Sequence, residues 1–140
     1  MIEEALAPEV SLPSGGNIII SETPALTAID VNSGSTSGGG REQVALTTNQ
    51  EASEVIATQI QLRNLSGLLV IDFVSMRKRE NQEKVLQAIQ ASMAKDVIRP
   101  HVVGFTKLGL LEMTRRRRGP SLSEILVDNG NSFVKCHKIY

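Results

Sequence analysis

The chain has 140 residues, 15.2 kDa and 41% hydrophobic composition, which suits one small domain and argues against a disordered chain. Its 15 basic and 15 acidic side chains cancel, yet residues 1–98 carry 7 basic against 12 acidic groups and residues 99–140 carry 8 against 3, so a polyanion is expected at the C-terminal end. Aromatic content of 3% without tryptophan argues against nucleic-acid binding by base stacking, a single cysteine (Cys136) excludes an internal disulfide, and no apolar run approaches the roughly 18 residues of a membrane span.

The first nine residues are acidic and lack an apolar core, so neither a secretory signal nor an Arg-rich presequence is expected. After Gly15 and Gly16, the β-branched run from Asn17 to Glu22 and the run from Leu26 to Val31 stand at hairpin distance and predict two antiparallel strands. Asn32 to Gly40 contains four glycines among small polar residues and predicts a mobile loop. Arg41 to Asn64 predicts a long amphipathic helix, with Thr48, Ala52, Val55, Ile56, Gln59 and Ile60 on one stripe.

Leu68 to Val74 is apolar on consecutive positions, as in a central strand covered on both faces. Asn81 to Ala94 repeats a helical pattern through Val85, Leu86, Ile89 and Met93, and two short strands follow at 101–105 and 110–114. The order ββαβαββ predicts an α/β (α+β) fold, a mixed β-sheet with two long helices packed on it.

Asp30 and Asp72 fall late in two of these strands, where ligands collect in open α/β sheets. Each is surrounded in sequence by apolar residues, and an ionised carboxylate in such company must be paired or bind a cation. If the strands are neighbours, the two carboxylates face one volume suited to Mg²⁺; the competing reading is an ordinary structural ion pair for each. Asn32 would share the face of Asp30 and orient it or a phosphate, or else start an Asx-turn. Arg115 to Arg118 follows the last strand, and alternation makes Arg115 and Arg117 phosphate-binding candidates beside the alternative of a solvated basic run. Gly38, Gly39, Gly40 and Arg41 lack a Gly-Lys-Ser/Thr continuation, which leaves a nucleotide-binding loop a weaker option than a linker. No zinc ligand spacing or nucleophile elbow is present.

Four segments in order resemble the ribonuclease E/G family: Leu12-Pro13-Ser14-Gly15-Gly16, the stretch from Ala25 through Asp30-Val31-Asn32 to Gly34, the stretch from Leu62 through Val70-Ile71-Asp72 to Phe73, and Leu108 to Arg115. The resemblance implies a deoxyribonuclease I-like catalytic subdomain over residues 1–127, with a C-terminal tail of unknown role at 128–140. It implies Mg²⁺-dependent endonucleolytic cleavage of single-stranded RNA to 5′-phosphate products in RNA processing or decay. Asp30 and Asp72 would hold the metal, Asn32 would orient Asp30, and Arg115 and Arg117 would contact RNA. The setting implied is a bacterial cytoplasm, or alternatively a plastid. Residues 121–128 lack the Cys-x-x-Cys pair of the family's zinc-linked dimer, so any homo-oligomer would form without it. The family's RNA-clamp domain is also missing ahead of residue 12, which implies a truncated member or fragment. The alternative is a catalytically weak RNA-binding or assembly module.

Overall fold

Residues with period-two alternation build a sheet with one apolar face, and the two helical stripes cover that face. The computed structural model describes residues 7–34, 40–117 and 122. Its strands are β1 (Glu9–Ser11), β2 (Asn17–Glu22), β3 (Thr27–Asn32), β4 (Gly67–Asp72), β5 (His101–Phe105) and β6 (Leu111–Arg115), and its helices are α1 (Arg41–Arg63) and α2 (Arg79–Met93). The strands form one mixed sheet in the order β1-β2-β3-β4-β6-β5, parallel only between β3 and β4. The expected hairpin and both helices are present; β1, three residues long, is an addition the sequence pattern did not mark. Of the expected loop at 32–40, Asn32 belongs to β3 and residues 35–39 lie outside the described residues, as does the tail at 128–140.

Ile18, Ile20, Ile29, Val31, Leu69, Ile71, Leu111 and Met113 point to the helix side and join Ile56, Ile60, Val85, Ile89 and Met93 in one core. The central strand is therefore not covered on both faces as its composition suggested. Leu68 is 37% exposed and Val70 is half-buried, because both helices pack on the opposite face. The stripe of α1 also differs from a plain apolar one: Ala45, Ala52, Ser53 and Ala57 are buried beside Asn49. Small side chains there let the helix lie close to its neighbours.

Two glycines pin the end of β3. A Cβ at Gly16 would fall on the Asn32 carbonyl oxygen, and one at Gly34 would come within 2.9 Å of the Gly15 carbonyl carbon. The β1–β2 turn and the exit of β3 thus cross backbone to backbone, and only hydrogen fits between them.

The exit of β4 is held by α1. Asn49, fully buried, donates from Nδ2 to the Val74 carbonyl and accepts from the Val74 N–H, both at 2.9 Å, so its amide substitutes for a strand partner. About two turns earlier on α1, Glu42 accepts from the Arg77 N–H at 2.9 Å, the Lys78 N–H at 3.1 Å and Asn81 Nδ2 at 2.7 Å. The Arg77 N–H, Asn81 and the Lys78 N–H together hold the Glu42 carboxyl below its ordinary pKa. Lys78, the N-cap residue of α2, offers no side-chain cap, so this carboxylate caps α2 from another helix.

Arg115 and Asp96 form a buried pair, Nε to Oδ2 at 2.7 Å, with side chains 4% and 1% exposed. Arg115 Nη1 also donates to Asn64 Oδ1 at 2.9 Å and to the Leu65 carbonyl at 2.8 Å, tying the end of β6 to the end of α1. Burial opposes the charge on Asp96, but the Arg115 hydrogen bond, the Ile98 N–H and the attraction of Arg115 outweigh it and lower its pKa. Its contribution to stability is therefore complete above the ordinary aspartate range and lost as pH falls through the lowered value.

Breaking this pair leaves a buried charge alone, so Arg115→Ala is expected to lower unfolding free energy by about 3–5 kcal/mol in urea melts at neutral pH. The deficit of Asp96→Ala relative to the unsubstituted chain should shrink as pH falls below the ordinary aspartate range and through the lowered folded-state value. Asn49→Ala strands two buried backbone groups and should cost about 1–3 kcal/mol in the same melts.

Candidate functional site

Parallel pairing of β3 with β4 sets Asp30 directly opposite Asp72. Adjacent strands lie about 4.8 Å apart, so the two carboxylates spring from neighbouring points at the carboxyl ends of both strands. Both side chains are exposed on the face the helices leave open. Their apolar sequence neighbours Ile29, Val31, Ile71 and Phe73 point the other way into the core. The expectation of two carboxylates desolvated by apolar surroundings is corrected here: alternation separates them from those residues. What remains is a pair of like charges side by side, with no hydrogen-bond or ion-pair partner for either among the described residues.

Asn32 lies two residues beyond Asp30 on the same face, opposite Asn17 of β2. Its Nδ2 donates to Asn17 Oδ1 at 3.0 Å rather than to Asp30, and Asn17 Nδ2 donates to Glu9 Oε2 at 2.7 Å. The carboxylate of Glu9 accepts only, which fixes the orientation of both amides in turn. Asn32 is left presenting Oδ1, an oxygen donor, beside the aspartate pair. Glu9 and Asn17 were not singled out from the sequence; aligning the predicted hairpin would have set Asn17 against Asn32.

Arg115 and Arg117 are not brought to this pair. Strand β6 runs antiparallel to β4, so its last residue, Arg115, stands opposite Gly67 at the start of β4. Asp72 is five residues further along β4, roughly 16 Å away at the usual strand rise, and Arg115 faces the helices. The guanidinium expected to meet RNA is instead committed to Asp96, Asn64 and Leu65. Arg117 is exposed at that same far end, where it lines a cleft of about 470 Å³ with Glu22, Thr23 and Ser66. Arg118 and the region of the absent cysteine pair fall outside the described residues.

Exposed cations do stand at the aspartate end: Arg77, Lys78 and Arg79 sit at a helix start in opposition to its dipole, a pattern in the sequence that disfavours a purely structural role but also fits an ordinary exposed turn. Arg77 and Lys78 lie on the exit of β4, Arg79 opens α2, and Lys107 lies in the β5–β6 turn. A cleft of about 110 Å³ opens beside Asp72, lined among others by Met76 and Leu108, the chain neighbours of Arg77 and Lys107. Among the described residues, no group of three or more His, Cys, Asp or Glu converges, so the acidic centre is this pair. No helix among the described residues is long and apolar enough to cross a membrane.

The family model of the Ribonuclease E/G family matches residues 1–118. The chain is 47% identical over 128 residues to Ribonuclease E of Nostoc sp., covering 91% of this chain and 19% of that protein. It is 44% identical over 128 residues to Ribonuclease G of Haemophilus influenzae, covering 91% of this chain and 26% of that protein. With Ribonuclease G of Escherichia coli it shares 39% identity over 137 residues, 97% of this chain and 27% of that protein. It thus spans about a fifth to a quarter of the length of these relatives, and over that span the strand-end aspartates, the crossed glycines and the α1 clamp sit within the matched residues. The chain belongs to the Ribonuclease E/G family.

Proposed function

We propose that this chain supplies the metal-holding catalytic centre of a Mg²⁺-dependent endoribonuclease, a deoxyribonuclease I-like subdomain that cleaves single-stranded RNA to 5′-phosphate products in the bacterial cytoplasm. The observation that carries the reading is the in-register Asp30–Asp72 pair, exposed and unpartnered among the described residues. The names of the relatives support a ribonuclease.

The donor set fits a hard divalent cation: two carboxylates on adjacent strands, open to water, with the Asn32 amide oxygen nearby. Mg²⁺ bound there supplies a water of lowered pKa and neutralises charge developing on the scissile phosphate. Asp30 and Asp72 would hold the ion, and strand pairing fixes the spacing of their backbones before any ligand arrives. The Glu9–Asn17–Asn32 chain engages Asn32 Nδ2 with Asn17 and leaves Asn32 Oδ1 available to a cation on the strand face that carries Asp30. The exposed Arg77, Lys78 and Arg79 attract the phosphodiester backbone, which two unscreened carboxylates alone would repel.

The alternative, an RNA-binding or assembly module without turnover, shares the fold and differs in cutting. With single-stranded RNA and Mg²⁺, the purified chain should release 5′-phosphate products, and Asp30→Asn or Asp72→Asn should slow this by about 100-fold or more, near 3 kcal/mol of barrier. The same variants should weaken Mn²⁺ binding, read by electron paramagnetic resonance. RNA binding with no cleavage would favour the module, and unchanged Mn²⁺ affinity would remove the carboxylate pair from the mechanism.

A further inference from the structure

The cleft beside Asp72 has features that neither the fold nor metal binding explains. Asp72, Phe73 and Met76 from the β4 exit, Gln82 of α2, and Phe105 and Leu108 from the β5–β6 hairpin surround about 110 Å³. The Phe73 and Phe105 rings meet at 6.2 Å with planes tilted by 55°. Phe73 is 6% exposed and belongs to the core, so the half-buried Phe105 is the more accessible of the two rings at the cleft. Leu108 is 90% exposed at the rim. It is held there by an ordered turn, with Thr106 N–H to the Leu110 carbonyl at 2.7 Å, Gly109 N–H to the Thr106 carbonyl at 3.0 Å and Leu110 N–H to Thr106 Oγ1 at 3.1 Å. A large aliphatic side chain fixed in water next to an acidic pair gains nothing in the free protein.

The polar groups around this apolar floor have a consistent sense. Gln82 donates from Nε2 to the Met76 carbonyl at 3.1 Å, which leaves Oε1 as an unused acceptor at the cleft wall. Arg77, Lys78 and Arg79 follow the lining residue Met76 in the chain and Lys107 precedes the lining residue Leu108, and all four are exposed. The neighbouring acids are Asp72 itself, Glu80 on α2, and Glu42, whose oxygens are taken by Arg77, Lys78 and Asn81. A cleft of mixed polar and apolar lining, with an acceptor on its wall, cations next in the chain to its lining residues and Asp72 at its lip, suits one repeating unit of a polynucleotide. The base fills the slot, the phosphates meet the cations, and the next phosphodiester lies over Asp30 and Asp72.

We propose that this cleft is a nucleobase subsite that receives one unpaired base adjoining the scissile phosphate, with Leu108 and Phe105 covering the ring and Gln82 Oε1 accepting from its edge. The proposal rests on the endoribonuclease reading of the aspartate pair and adds to it how the strand is seated. It also assigns a reason for single-strand preference at this centre: a base must leave its helix to enter the slot.

The test uses the full 140-residue chain, isotopically labelled, with Asp72→Asn to prevent cutting. It compares a short single-stranded RNA with the same oligomer made abasic throughout. The RNA should shift the NMR signals of the Leu108 methyls, the Phe105 ring and the Gln82 side-chain amide, whereas the abasic oligomer should shift only the amides of 77–79. Leu108→Ser, a change at a fully solvated position, should weaken RNA binding at least fivefold while leaving the thermal midpoint and the affinity for the abasic oligomer unchanged. Equal shifts from both oligomers, confined to 77–79, would overturn the subsite, as would full RNA affinity in Leu108→Ser. Mn²⁺ binding by the unsubstituted chain reports on the aspartate pair separately, so loss of the subsite and loss of the nuclease reading give different results.

Discussion

Among the described strands the pairing of β3 with β4 is the only parallel contact, and the placement of Asp30 against Asp72 depends on it. A parallel connection requires a crossover, which α1 provides, and it brings two strand ends to the same edge of the molecule. Shifting that register by one residue would turn one aspartate into the core and one isoleucine into water. The apolar residues Ile29, Val31, Leu69 and Ile71 therefore specify the spacing of the carboxylates although they never touch a ligand. Like-charge repulsion between Asp30 and Asp72 is maintained by packing energy from the other side of the sheet.

Three devices protect this edge. The crossed glycines Gly16 and Gly34 lock the exit of β3, the Asn49 amide replaces a missing strand partner at Val74, and Glu42 caps α2 while fixing the basic turn before it. All three act through the backbone, so they set position without occupying the open face. The buried Arg115–Asp96 pair does comparable work at the other end, where it joins the last strand to the two helix termini.

Elements with strong periodicity were legible from the sequence: α1, α2, the β2–β3 hairpin and the strand carrying Asp72 all stand where their patterns put them. The juxtaposition of Asp30 and Asp72 followed once those strands were taken as neighbours. Three features were not legible, for specific reasons. The apolar run at 68–74 looked buried on both faces because composition does not report on which side helices pack. Arg115 looked like a phosphate ligand because alternation gives the face of a residue but not the direction of its strand within the sheet. Arg77, Lys78 and Arg79 stood out in the sequence as cations opposed to a helix dipole, and Lys107 as part of a turn, but neither pattern shows the acids that the fold brings to the same end. Phe73 and Phe105 are 32 positions apart, and only the fold makes them adjacent.

Because both helices cover a single side of the sheet, residues that hold the molecule together and residues that meet solvent on the far side belong to nearly separate sets. Exchange at Ile19, Ala28 or Val70 alters the surface around the aspartates without opening a hole in the interior. Such an arrangement makes the fold evolvable: substrate preference has room to drift across one surface while the thermodynamic reserve stored on the other remains untouched.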